Sequence, residues 1–131
     1  MINRIVIACL LSIYTLASPS FGQEISASNW DGEWIADGTL FRVAVNISNG
    51  EFIVNEVDSL GFVWTTKNGI YSGDRAVIEA EYAGATAVVE IQLIDPNTAI
   101  ANLRNCVPEY IVVCVLAMGQ QARFIRATPS P

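Results

Sequence analysis

The feature that most constrains this chain is an alternation of apolar and polar residues with a period of two, repeated between closely spaced turn signals. In LFRVAVNIS (40–48) the odd positions Phe41, Val43, Val45 and Ile47 are apolar, and Arg42, Asn46 and Ser48 fall between them. Successive side chains of a strand point to opposite faces, so the pattern fits a half-buried strand and not a helix, whose apolar stripe recurs every three or four residues. Asn49-Gly50 follows, and both residues tolerate the positive φ that a two-residue hairpin turn demands. EFIVNEVD (51–58) then reads as the returning strand, which predicts a hairpin over 40–58.

The same grammar continues downstream. GFVWTTK (61–67) leads into Asn68-Gly69, read as a turn, and Gly73-Asp74 marks another. RAVIEAEY (75–82) sets Ala76, Ile78, Ala80 and Tyr82 on one face, Ala83-Gly84 reverses the chain, and ATAVVEIQLI (85–94) sets Ala87, Val89, Ile91 and Leu93 together. Asp95-Pro96-Asn97-Thr98 breaks the run, and strands are expected near 99–105, 111–118 and 121–127. Beyond residue 22 only a turn around Ser26–Asp31 departs from this extended pattern. The expected fold is therefore all-β: an antiparallel up-and-down meander of about eight strands, closed into a small barrel because an open sheet would expose two unpaired edges.

The N-terminus, MINRIVIACLLSIYTLASPSFGQ, has one positive charge at Arg4, an apolar run from Ile5 to Leu16, and small residues ending in Ser20-Phe21-Gly22. That is the layout of a secretory signal peptide cleaved after Gly22, and the apolar run is well short of the roughly 20 residues a spanning helix needs. Residues 1–22 are read as this signal and 23–131 as one domain with a short disordered tail from Thr128, placed in the periplasm or secreted. Cys106 and Cys114 remain after cleavage, and an even cysteine count in an exported chain reads as a disulfide. A metal clip is disfavoured by the lack of any histidine beside two lone thiols, and a redox pair by the spacing. Such a bond requires a wide loop centred near Tyr110.

Charge and composition exclude whole classes of function. A formal net charge of −6 makes nucleic acid and anionic membranes poor partners. Most strands are too short, and too charged on their outer positions, to cross an outer membrane as a barrel, so no stable membrane insertion is expected. Without histidine, Ser-His-Asp and Cys-His catalysis is impossible. Glu79 and Glu81 share a strand face but read as a solvated acidic stripe. No catalytic residue, cofactor or metal site is assigned.

Asp31-Gly32-Glu33-Trp34 carries a G-x-W at the entrance to the first strand, and the last strand reads ARFIR (122–126). These two features resemble the calycin barrels, the superfamily of lipocalins and avidins. The resemblance implies that Trp34 closes one barrel end with an arginine of the last strand packed across it, Arg126 before Arg123. It covers both ends of the chain and leaves the middle unaligned; the T-D-containing second lipocalin motif and an avidin-type biotin site are absent.

Candidate ligand-binding residues are the aromatics Phe62, Trp64 and Tyr71, clustered in residues 60–71, together with Tyr82 on the following strand, with small inward residues Ala76, Ala80, Ala87 and Ala101 leaving room. The expected function is binding of a small apolar or amphipathic molecule. The competing expectation is an exported protein partner, as for a protease or lysozyme inhibitor, contacted through residues 23–29 and the 106–114 loop.

Overall fold

The computed structural model describes residues 29–128. The expected signal peptide, and the tail beyond Thr128, lie outside the described residues. Eight strands follow in order: β1 (Gly32–Ala36), β2 (Arg42–Ser48), β3 (Glu51–Asp58), β4 (Trp64–Ser72), β5 (Arg75–Tyr82), β6 (Ala85–Asp95), β7 (Thr98–Val107) and β8 (Gln121–Arg126). All pairings are antiparallel, and the sheet order is β3-β2-β1-β8-β7-β6-β5-β4. The first strand pairs with the last, as a meander must if it closes.

The outer strands of that order, β3 and β4, share no ladder but meet along a seam. The Thr66 hydroxyl donates to the Val54 carbonyl at 3.0 Å across it. Gly69 lies so close that a Cβ there would stand 1.8 Å from the Phe52 carbonyl oxygen. The result is a nearly closed barrel.

Alternation decides which side chains enter it. Val43, Val45, Ile78, Leu93 and Ala99 form the buried core with Trp30, Trp34 and Phe52. Charged residues of the same strands point outward into ion pairs: Glu90 between Arg75 and Arg104, and Lys67 with Glu81. An apolar interior with a charged exterior is the reverse of a membrane-spanning barrel. Among the described residues no helix is long and apolar enough to cross a membrane.

Two sequence expectations are corrected. Residues 111–118, expected as a strand, contain the helix α1 (Val112–Ala117). β8 takes the second edge of β7 over Thr98–Asn102 only, and beyond it the Cys106–Cys114 bond draws the apolar segment back over the end of β6 and β7 instead of letting it run along Leu103–Val107 as a strand. The helix satisfies its own backbone instead. Asn68-Gly69 is not a turn but lies inside β4 at a break in register between Lys67 and Ile70, where Asn68 takes φ 55°. The β4–β5 turn is at Gly73-Asp74.

The bond between Cys106 and Cys114 is formed, with 5.4 Å between Cα atoms. Cys106 pairs across the ladder with Ala87, and Cys114 packs with both and with Ala85 in a second buried cluster. α1 is thereby held over the β6–β7 side of one barrel end.

Candidate functional site: an apolar cavity with one built floor

The two barrel ends differ. One end gathers the 49–50, 73–74 and 96–97 turns and the chain entry at Asn29–Asp31; the other gathers the loops 37–41 and 59–63, the 83–84 turn and α1.

At the first end the floor is built around Arg126. Its guanidinium lies 4.4 Å from the centre of the Trp34 ring, and its N–H groups donate to the carbonyls of Pro96 (3.0 Å), Asp31 (2.6 Å) and Asn29. One side chain therefore ties the entry segment to the β6–β7 turn. Burial lowers the Arg126 pKa from its ordinary value, and the Asp31 carboxylate opposes that shift. Trp34 donates its indole N–H to the Trp30 carbonyl at 3.0 Å, and Trp30 donates its own to the Gly73 carbonyl at 3.0 Å. Phe52 meets Trp30 edge-on at 5.0 Å. Every polar hydrogen of the floor indoles is thus bonded to a backbone carbonyl.

Above this floor is a partly open cavity of about 230 Å³. Its walls are Val43, Val45, Ile78, Val89 and Ile91, and Ala80, Ala99 and Ala101 supply the space. Toward the other end it is bounded by Phe41, Trp64, Thr66 and Phe124. Thr66 has the one polar side chain besides the indoles, and its hydroxyl is spent on Val54. Water in a buried site needs two to four polar partners, so this lining favours hydrocarbon; an apolar cavity of about 150 Å³ suffices for benzene.

Trp64 marks the mouth. It borders the cavity and also a shallow groove on the rim with Thr65, Glu81, Tyr82 and Thr86. Its ring tilts against Phe41 at 5.9 Å, and its indole N–H donates to the Ser59 hydroxyl at 2.9 Å, which donates to Glu56 at 2.7 Å. Tyr82 lies directly across the ladder from Trp64, and Phe62 meets the Tyr82 ring at 5.5 Å. Three of the four expected ligand-binding aromatics are therefore gathered at the mouth. Tyr71 is not among them: it pairs with Ala76 and packs into the core toward the floor. Of the small residues, Ala80 and Ala101 line the cavity, whereas Ala76 is core and Ala87 lies against the disulfide.

The mouth is crowned by exposed apolar side chains. Leu40, Leu60, Phe62 and Val63 stand on one side, and Tyr110, Val112, Val115 and Leu116 on the other. On α1 only Cys114 is buried. Glu79 and Glu81 face outward, to Asn68 and Lys67. Among the described residues no group of His, Cys, Asp and Glu side chains has the arrangement of a metal site.

The sequence offers Phe41 only as an apolar position of the alternating pattern and does not single out Phe52 or Phe124. Phe52 and Phe124 sit at inward positions of β3 and β8, and Phe41 extends the inward alternation of β2 by one residue before its start; that alternation is the signal that would have placed them in the lining. Geometrically the molecule is a nearly closed eight-stranded barrel around a hydrocarbon-lined cavity with one built floor and one apolar rim. Comparison with protein-family models, curated proteins and solved structures finds no match for this chain.

Proposed function

We propose that this protein is an exported carrier that holds a small apolar or amphipathic molecule inside the barrel. The observation that carries the reading is the cavity: about 230 Å³, with no lining side chain that has a polar hydrogen to spare. Ligand pockets are typically concave and mostly apolar, with a few polar groups fixing orientation. Export is supported by the N-terminal sequence and by the disulfide, which suits an oxidising compartment. The stacking of Arg126 on Trp34 is the arrangement that the calycin resemblance implies, and a lipocalin-like ancestry is part of the proposal.

A second reading, a module that contacts an exported protein, draws on the unpartnered apolar side chains of α1 and Tyr110. Native against denaturing mass spectrometry of protein recovered from its producing cells separates the two. A retained small mass that is lost on denaturation supports the carrier. A bare native mass, together with failure of any apolar dye to bind, would sink it.

A further inference from the structure

We infer that the ligand is single-headed: its polar atoms all lie at one end, it enters tail first past Trp64, and its hydrocarbon tail rests on the Trp30–Trp34 floor. This rests on the carrier reading and adds the chemistry and orientation of what is carried.

The lining supplies the argument. Four side chains around the cavity own a polar hydrogen, and each has given it away: Trp30 to Gly73, Trp34 to Trp30, Trp64 to Ser59 and Thr66 to Val54. Except along the β3–β4 seam, the strand backbone is engaged in the ladders that form the walls. A hydroxyl or amide on the part of a ligand that reaches the floor would lose its water and gain no partner, which is costly.

The floor also gives no passage. Arg126 fastens three backbone carbonyls beneath Trp34, and Gly32 lies against that guanidinium, a Cβ there falling 2.7 Å from Arg126 Nη1. A polar group therefore cannot be threaded through to solvent on that side. Polar surroundings begin at the rim: Tyr82 shares the face of Trp64, and Thr65, Glu81 and Thr86 stand on the outer face of the same strands along the groove, where a head group meets solvent. Trp64 is the side chain that borders both compartments, so a head group at the groove and a tail in the cavity lie on either side of its ring.

The test uses purified, oxidised protein and three probes measured by calorimetry: octanol, the octanediol with both hydroxyls at one end, and the isomer with one hydroxyl at each end. The two diols have the same composition, so overall polarity is constant. The expected result is that octanol and the one-ended diol bind, and that the two-ended diol binds roughly ten- to a hundredfold more weakly. Equal affinity for the two diols would overturn the orientation and leave the carrier reading intact. Failure of octanol itself to bind would overturn both.

A second measurement reads position directly. Octanol brominated on its terminal tail carbon should quench indole fluorescence equally well in wild type and in Trp64→Phe, because the bromine sits by Trp30 and Trp34. Both proteins are compared at saturation, with loading of the variant checked by calorimetry; quenching that vanishes in the loaded Trp64→Phe protein would place the tail at the mouth and refute the inference.

Discussion

Trp34 and Trp64 are both inward-facing indoles, yet the structure gives them opposite consequences on truncation. Trp34 is 2% exposed, stacked on Arg126 and bonded to the Trp30 carbonyl. Trp34→Ala should cost about 3–5 kcal/mol, as for other buried aromatics, and chemical denaturation would read it as a lowered midpoint. Trp64 is half-buried at the mouth with a partner hydroxyl at the surface, so Trp64→Ala should leave the fold largely stable while weakening ligand binding. Equal destabilisation by the two variants would refute this division of roles. Arg126→Met keeps much of the stacking volume but leaves three carbonyls without their donor. A loss of roughly 2 kcal/mol or more is expected, since hydrogen bonds from a charged group are worth about 1.5–3 kcal/mol each. The Trp34–Arg126 pair was expected through the resemblance of the G-x-W and the last-strand arginine to the calycin barrels, and the stacking is present. Trp30 was harder to place: it precedes β1 in irregular chain, and its partner Gly73 is a turn residue far along the sequence.

At the scale of elements, what could be read was what local chemistry dictates. Asn49-Gly50 takes φ values of 51° and 77°, and β2 and β3 pair across it in the register that the alternation required. Asn68-Gly69 carries the same local signal but is spent on a break in β4, which brings Gly69 against the Phe52 carbonyl. No single-sequence rule separates these uses, because the choice depends on how β4 meets β3. Gly69 is not in the left-handed region, so Gly69→Ala is a steric test of the seam alone. The added methyl meets rigid backbone, and a cost of about 1–3 kcal/mol is expected with faster hydrogen exchange along β3 and β4. Unchanged exchange at those strands would mean the seam does not depend on that approach. Residues 111–118 were misread for a related reason: a continuous apolar run has no period by which to tell strand from helix. What decides it is tertiary: Cys114 is bonded to Cys106 and buried with Ala85 and Ala87, which folds the segment over the barrel end. The disulfide closes a short loop, and replacing both Cys106 and Cys114 by Ala should cost about 2.5 kcal/mol by the chain-entropy argument. The loosening should be confined to α1 and the end of β7 while β1–β5 stay protected; uniform loss of protection would contradict the division into two buried clusters.

For the whole molecule, the cavity sets stability against function. Mutational series relate cavity volume to lost stability at about 24 cal/mol per Å³, which for about 230 Å³ gives an upper figure near 5 kcal/mol, since this cavity is partly open. Anything that fills the space recovers part of that. Ala101 lines the cavity on β7 with Ala99 beside it on the same face. Ala101→Leu extends hydrocarbon into space that is already there, and cavity-filling changes of this kind typically add about 0.5–2 kcal/mol. The melting temperature should rise by several degrees in a domain of this size. A bound octanol should raise it too, because a ligand that binds only the folded state stabilises by mass action. The two gains compete for one volume, so they must not add: octanol should stabilise the wild type and have little effect on Ala101→Leu. A lowered melting temperature in Ala101→Leu would mean the interior is already full, and full additivity of the two effects would put the ligand elsewhere on the protein. Non-additive stabilisation is the one outcome that ties the ligand to this cavity, because only a shared volume makes the side chain and the ligand substitutes for each other.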